Sequence, residues 1–230
     1  MPKIPDHRFE IPEAALGIFV FASDKRIQPP RSDLEFVCIE PEFAKKGDDP
    51  YIHAVATNGY HLVHLRWIPD PDKDTVPSGT LLISAAEIEK FLKGKRPKDT
   101  RYWITEEKGN WAVVGDHGDR MVLGDSPANF PDWRDVIPKR RTSLSKKDIE
   151  KGVEFGLNWR WLEVFCKFSK KYLGRSGFKL NMPKSDLDPI LLIPIRVGND
   201  FDESKEKIEA EYVLNDGVTE MEYVLMGVRV

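Results

Sequence analysis

The chain has 230 residues, 40% of them hydrophobic, so it is long enough for one large domain or two modest domains with a packed core. Its formal net charge is −3 at pH 7, which excludes nucleic-acid binding through an overall positive field. Binding to DNA would need a local basic face. No run approaches the ~18 apolar residues of a membrane span and the N-terminus has no signal-peptide core, which predicts a cytoplasmic protein without a membrane partner.

The first part of the chain predicts one strand, one helix and three further strands. These elements fall at residues 8–11, 13–25, 34–39, 51–57 and 60–67. The helix ends before Pro29-Pro30. Asn58-Gly59 separates the last two strands and supplies the positive φ angles that a two-residue hairpin turn requires. We therefore expect a β-hairpin there.

The second part repeats this order. The strands are expected at residues 80–83, 101–106, 110–114 and 120–123. Ser84 and Glu87 form a predicted capping box, and Ile88, Phe91 and Leu92 recur at helical spacing until Gly94 ends the helix.

An extended linker at residues 127–138 continues into the basic stretch 139–141 and leads to a third unit. A strand at 153–157 precedes a helix that is capped by Asn158. The apolar stripe of this helix is Trp161, Leu162, Phe165, Phe168 and Tyr172. Strands at 177–182, 189–195 and 220–230 follow, with a charged surface excursion at 198–217.

These repeated βαβββ units predict an α+β fold with helices on one face of antiparallel sheets. We expect a complete two-unit domain at residues 1–140 and a single-unit half-domain at residues 141–230. Cys38 and Cys166 lie in apolar surroundings, which predicts two buried free thiols instead of a disulfide or a metal site.

Three segments occur in an order that is found in a known family. They are A-V-A-T-N-G-Y-H-L at residues 54–62, F-P-D-W-R-D-V-I-P at 130–138 and Y-V-L-M-G-V-R-V at 223–230. Together they resemble the β sliding clamp of bacterial DNA polymerase III, which carries V-A-T-D-G-H-R-L, Y-P-D-(Y/W)-R-x-V-(I/L)-P and V-M-P-M-R-L. The resemblance aligns residues 8–138 with the family's middle domain and 153–230 with the second half of its last domain. It implies a DNA-clamp fold.

The resemblance also implies a function, which is to tether replication proteins to duplex DNA without catalysis or cofactors. In the family, linear peptides of polymerases, the clamp loader and repair proteins enter a pocket between the middle and last domains. Its wall corresponds here to Thr57, Gly59, Tyr60, His61, Leu62, Pro138, Val224, Met226, Gly227, Val228, Arg229 and Val230. The family's His-Arg and Met-Pro-Met are changed to Tyr60-His61 and Met226-Gly227-Val228. The pocket is therefore reshaped, or these segments are an ordinary hairpin and a buried strand.

Cationic side chains on the predicted helices, opposite their apolar stripes or just beyond their ends, are candidates for phosphate contacts. They are Lys25, Arg26, Lys90, Lys93, Arg96, Arg160, Lys167 and Lys171. The alternative is a set of ordinary lysine-rich helix surfaces, since lysine is also favoured near helix C-termini.

An enzyme is the least favoured class. His61 and His64 are an odd number of residues apart on a predicted strand, so they face opposite sides and cannot share a metal. The acidic loops at residues 47–49 and 70–72 are typical of solvated turns, as is Asp116-His117. A hydrolase or nuclease that uses these loop acids remains the third alternative.

The resemblance covers three of the family's six units per chain. Four chains would supply the twelve units of the family's ring, so head-to-tail self-association is expected. The alternative is a clamp-like module that does not encircle DNA and binds replication or repair proteins.

Overall fold

The computed structural model describes residues 7–22, 32–43, 50–94, 97, 100–124, 129–137, 159–173, 177–181, 190–195 and 218–225. The strands within these residues are β1 His7–Ile11, β2 Phe36–Glu42, β3 Tyr51–Thr57, β4 His61–Trp67, β5 Leu81–Ser84, β6 Tyr102–Glu107, β7 Asn110–Gly115, β8 Arg120–Val122, β9 Gly177–Asn181, β10 Ile190–Ile195 and β11 Val218–Leu225. The α-helices are α1 Glu13–Gly17, α2 Ala85–Leu92 and α3 Trp159–Leu173.

The described strands form two antiparallel sheets. One has four strands in the order β1-β6-β7-β8, and the other has seven in the order β5-β2-β3-β4-β11-β10-β9. The first and second units exchange their first strands, because β1 pairs with β6 and β5 pairs with β2. The third unit joins the larger sheet through β4 and β11. The predicted α+β fold with antiparallel sheets is confirmed.

The helices pack on one side of the seven-stranded sheet. A cross-strand row of Ile39, Ala54, Leu65 and Met221 faces this side, and each of its members is 0–2% exposed. The same core receives Leu16 of α1, Ile88 of α2, and Phe165 and Phe168 of α3. Apolar residues at helical spacing in α3 meet apolar residues at strand spacing in the sheet, which places the core between them.

The opposite face of the same sheet is also covered. Leu62, Val224 and Leu191 are cross-strand neighbours there, and they share an apolar cluster with Trp133. Because both faces are covered, β3 and β4 are buried almost throughout, unlike strands with one solvated face.

The first predicted helix is shorter than expected. It ends after α1 and a 3-10 helix at Ile18–Phe21, and Ala22 is extended, while residues 23–31 lie outside the described residues. Contacts of Phe21 explain the early end of the helix. Its ring packs against the rings of Phe168 and Tyr223, and its carbonyl oxygen lies 3.2 Å from His61 Nε2. These tertiary contacts outweigh the helical pattern of the sequence.

The predicted capping box does not form. Ser84 is the last residue of β5, and its side chain makes no capping hydrogen bond. The first amide of α2, at Ala85, donates to the carbonyl of Glu35 at 3.0 Å. A backbone carbonyl therefore satisfies one N–H of the first turn, and this is a different N–H from that of Glu87, which a capping box would bind.

The two cysteines differ, although both are free thiols as predicted. Cys38 is buried, and burial together with the nearby Glu40 raises the pKa of its thiol to about 12. The prediction of burial is wrong for Cys166, which is exposed. It follows Phe165 by about 100° around α3, which carries it past the edge of the apolar stripe.

The segment that was predicted as an extended linker contains a 3-10 helix at Arg134–Val136. Asp132 Oδ1 accepts a hydrogen bond from the Arg134 amide at 3.2 Å, and such a bond favours a turn. The strand at 153–157, the Asn158 cap, the excursion at 198–217 and the boundary near residue 140 lie outside the described residues, so the two-domain division stays a prediction. None of the described helices is long and apolar enough to cross a membrane.

Candidate functional site

The hairpin between β3 and β4 is confirmed, but its turn lies one residue later than predicted. The Asn58 amide donates to the His61 carbonyl at 3.3 Å, which leaves Gly59 and Tyr60 as the turn residues. Gly59 has a φ of 87°, and Asn58 does not have a positive φ. Glycine is therefore needed at this one position of the loop.

Side chains hold the hairpin loop. The Thr57 hydroxyl donates to the His61 carbonyl at 2.6 Å and accepts from the Gly59 amide at 3.1 Å. Asn58 Oδ1 accepts from the amides of Tyr60 at 3.0 Å and His61 at 3.2 Å. The loop consequently presents the Tyr60 side chain, 49% exposed, on a fixed backbone.

The structure brings this hairpin beside the C-terminal strand. Leu62 of β4 lies opposite Val224 of β11, and His61 lies opposite Leu225. Leu62 and Val224 are 2% and 0% exposed, so this part of the expected pocket wall is a closed apolar surface. Partly buried apolar residues border the cluster, namely Leu82, Phe130, Ile137 and Ile193. Pro138 and residues 226–230 lie outside the described residues.

His61 points to the other side of the sheet from Leu62. Its ring lies 5.5 Å from the Phe21 ring and 5.7 Å from the Tyr223 ring, among the helices. Burial lowers the pKa of His61 to about 4, against the opposing effect of its hydrogen bond with the Phe21 carbonyl. His61 is therefore a neutral core residue.

A histidine cluster that the sequence did not predict lies on the Leu62 side of the sheet. His53 Nδ1 and His64 Nε2 are 2.8 Å apart, and their rings stack at 5.1 Å. Trp133 lies 4.7 Å from the His64 ring and 5.4 Å from the His53 ring. His53 Nε2 also lies 2.9 Å from Glu42 Oε2. His61 and His64 thus face opposite sides of β4, as predicted.

Polar contacts fix the segment that carries Trp133. Its indole N–H donates to Glu40 Oε2 at 2.9 Å, and Arg134 donates to both Glu40 and Glu42. Burial and the adjacent His64 lower the pKa of His53 to about 4. Although desolvation opposes it, hydrogen bonding to Arg134 and the proximity of His53 lower the pKa of Glu42. The cluster holds residues 129–137 against the sheet and forms part of its packing.

The described candidate cations all lie exposed on α2, on its C-cap residue or on α3. They are Lys90, Lys93, Arg160, Lys167 and Lys171. Lys93 pairs with Glu89 at 2.9 Å, Lys167 pairs with Glu163 at 2.6 Å, and Lys171 lies 4.4 Å over the Tyr172 ring. Lys25, Arg26 and Arg96 lie outside the described residues.

The two helices differ in charge. With its C-cap residue, α2 carries two acidic and two basic side chains, whereas α3 carries four basic side chains and one acidic side chain. The fourth cation of α3, the exposed Lys170, was missed because it does not share the face of Arg160 and Lys167. The basic surface is therefore a property of α3.

The acidic loops carry no arrangement typical of a catalytic or metal centre in the described part of the chain. No group of three or more metal-ligating side chains occurs among the residues described. Asp70 Oδ1 accepts a hydrogen bond from the Asp72 amide at 3.1 Å, and the Asp74 carboxylate accepts hydrogen bonds from the amides of Glu10 and Asp70. These carboxylates therefore stabilise a turn by binding backbone amides. Residues 47–49 lie outside the described residues.

No family profile matches the sequence, and no curated protein sequence matches it. Solved structures do match. A DNA polymerase sliding clamp from Pseudomonas aeruginosa superposes with a TM-score of 0.62 at 13% identity, covering 100% of this chain and 69% of that one. The β subunit of DNA polymerase III from Thermotoga maritima gives 0.60 at 12% identity, with 100% and 67% covered. A DnaN sliding clamp from Bartonella birtlesii, bound to griselimycin, gives 0.59 at 16% identity, with 100% and 68% covered.

The protein therefore has the fold of the bacterial DNA polymerase III sliding clamps, in a divergent sequence. The fold that the three motifs predicted is confirmed across the chain. The chain spans about two thirds of the length of these clamps.

Proposed function

We propose that this protein is a sliding-clamp-like processivity factor that tethers replication proteins to duplex DNA without reading its sequence. The observation that carries the proposal is the basic surface of α3, on the helix side of a clamp fold. Arg160, Lys167 and Lys171 are exposed there, while Phe165 and Phe168 of the same helix are buried. A protein of net charge −3 needs such a local surface to hold a polyanion.

Contacts of this kind act on phosphates. Lysine and arginine on a helix surface neutralise backbone charge and release counterions, which favours binding but carries no sequence information. The i,i+4 pair of Lys167 with Glu163 is solvent exposed, so it contributes little and yields readily to a phosphate. A sliding tether requires this mode of binding, because strong base contacts would stop the protein at one site.

The test is a charge reversal on α3 with a matched reversal on α2. We expect Lys167→Glu with Lys171→Glu to weaken retention on duplexes of unrelated sequence equally. Lys90→Glu with Lys93→Glu changes the same number of charges on the helix whose charge is already balanced, and we expect a smaller loss. Circular dichroism checks that both variants stay folded. Equal loss from the two variants would show that only overall charge matters and would contradict the assignment to α3.

The second candidate function is a clamp-like module that does not encircle DNA and binds replication or repair proteins. The observation that favours it is the apolar surface left partly exposed around the β4–β11 junction. Tyr60 of the hairpin is 49% exposed, and Ile137 and Ile193, which pack against the buried Leu62 and Val224, are only partly buried. Apolar side chains of a linear peptide would gain about 25 cal/mol per Å² buried against such a surface.

Griselimycin, which the Bartonella clamp binds, is a usable probe of this junction. We expect it to raise the melting temperature of the wild-type protein, and Tyr60→Ala to reduce that rise while leaving the ligand-free protein stable. Tyr51→Ala provides the control, because Tyr51 begins β3 at the end away from the hairpin turn and packs under Arg66. No response of the wild-type protein to griselimycin, or to a short peptide with Leu and Phe anchors, would contradict the second candidate.

A further inference from the structure

Helix α3 carries one acidic side chain, Glu163, within its basic surface. Glu163 follows Arg160 by three residues and precedes Lys167 by four, and residues at these spacings are neighbours on the face of a helix. All three side chains are exposed. Any polyanion that meets Arg160 and Lys167 therefore meets the Glu163 carboxylate as well.

This carboxylate is engaged with one of the cations. Glu163 Oε1 lies 2.6 Å from Lys167 Nζ, with the acidic residue on the N-terminal side, which is the favourable order for an i,i+4 pair. The two side chains are 45% and 74% exposed, so solvent screens the pair and it opens at little cost. Lys167 consequently has two possible acceptors, the Glu163 carboxylate and a DNA phosphate.

Glu163 opposes DNA binding in both arrangements. While Lys167 pairs with Glu163, the two side chains together present no net charge to a phosphate. When Lys167 turns to a phosphate, the Glu163 carboxylate stays beside the negative DNA backbone and is repelled by it. The hold of α3 on duplex DNA is therefore weaker than its four cations would give without Glu163.

We propose that Glu163 limits the strength with which the basic surface of α3 holds duplex DNA, by competing with phosphates for Lys167. This inference rests on the proposed function and adds the residue that sets the affinity of the same site. A protein that moves along DNA must release each phosphate before it reaches the next. Glu163 gives Lys167 a partner between the two contacts, so each release costs less than it would for an unpaired lysine.

Helix α2 offers a matched control. Glu89 and Lys93 form an i,i+4 pair at 2.9 Å, and their side chains are 49% and 69% exposed. The spacing, the order of the charges and the exposure resemble those of Glu163 and Lys167. Glu89→Gln therefore makes the same chemical change as Glu163→Gln on the helix whose charge is balanced.

Binding of the whole chain to a short fluorescent duplex over a series of salt concentrations tests the proposal. Glu163→Gln should raise the affinity roughly two- to fivefold, the range that an exposed pair of this kind is worth. It should also steepen the plot of log affinity against log salt by up to about 0.9, because Lys167 then neutralises one more phosphate. Glu89→Gln should give a smaller gain and the wild-type slope.

A double-mutant cycle separates the pair from the charge of Glu163 alone. In a Lys167→Gln background, Glu163→Gln should raise the affinity less than it does in the wild-type protein, because the competition for Lys167 is gone. Circular dichroism checks that every variant stays folded. Equal gains in the two backgrounds would show that Glu163 acts only through its charge and would overturn the proposal.

The remaining outcomes distinguish this inference from the function on which it rests. If the wild-type protein binds the duplex and Glu163→Gln leaves affinity and slope unchanged, the inference is wrong and the proposed function stands. Equal gains from Glu163→Gln and Glu89→Gln also overturn the inference, because only overall charge would then matter. If neither the wild-type protein nor Glu163→Gln binds the duplex, the proposed function is wrong and the inference fails with it.

Discussion

Gly17 of α1 and the ring of Tyr172 of α3 touch so closely that a β-carbon on Gly17 would lie 2.6 Å from Tyr172 Cζ. The Phe168 ring packs against the Tyr172 ring at 4.9 Å, and the Lys171 ammonium lies 4.4 Å from its centre. This contact joins the first unit to the third, independently of the β4–β11 pairing.

We expect Gly17→Ala to destabilise the protein. Overpacking of this kind costs about 1–3 kcal/mol. The gain in helix propensity from glycine to alanine is at most about 1 kcal/mol, so the clash wins. Gly79→Ala is the control, since a β-carbon there meets nothing within 4 Å. Urea unfolding of the two variants measures the difference, and equal midpoints would show that Tyr172 is free to move away.

Acid should destabilise the fold through its buried histidines. The pKa of His61 is lowered to about 4 in the folded protein from an ordinary 6.5, chiefly by burial. Above pH 6.5 the histidine is neutral in both states and its contribution is fully present. Between pH 6.5 and 4 the unfolded chain binds the proton first, so stability falls as the pH falls, by about 1.4 kcal/mol per unit of pKa difference at most.

Urea midpoints at pH 7.5 and at pH 5 test this dependence. His61→Gln removes one titrating group and should reduce the loss of stability between these pH values. A loss should remain, because the pKa of His53 is lowered to about 4 as well. If His61→Gln showed the full wild-type pH dependence, His61 would titrate normally and its burial in the core would be wrong.

Trp133 should be among the most costly side chains to truncate. It is 6% exposed, packs against the rings of two histidines and donates to Glu40. Trp133→Ala should cost about 3–5 kcal/mol, as for other buried tryptophans. Trp133→Phe keeps a ring over the histidines but loses the indole N–H, so it should cost clearly less. Equal costs for both variants would indicate that the hydrogen bond, and not packing, holds residues 129–137 to the sheet.

The sequence predicted the elements better than their exact ends. The sequence located β3, β4, β6 and β7 to within about two residues, because each is rich in β-branched and aromatic residues and is bounded by turn residues. The first helix and the Ser84 cap failed for one physical reason. In both, a group distant in sequence contacts the backbone at the end of the element: His61 Nε2 lies near the Phe21 carbonyl, and the Glu35 carbonyl accepts from the Ala85 amide.

The candidate site was predicted in part. The motif order placed Leu62 and Val224 near each other, and they are cross-strand neighbours. The histidine cluster could not be found without the hairpin register, because His53 and His64 meet only when Thr57 lies opposite Leu62. The sequence contains the information that α3 is more basic than α2. That difference becomes visible only when the acidic residues of each helix are counted together with its lysines and arginines.

The salt dependence of binding to a short duplex, followed by fluorescence anisotropy, measures whether the protein holds DNA electrostatically and without reading its sequence. We expect the logarithm of the wild-type affinity to fall linearly with the logarithm of salt concentration, with a slope of roughly 0.9 per phosphate neutralised. We expect a shallower slope for Lys167→Glu with Lys171→Glu. Binding that is insensitive to salt, or a slope that this double reversal leaves unchanged, would show that the basic surface of α3 does not hold DNA.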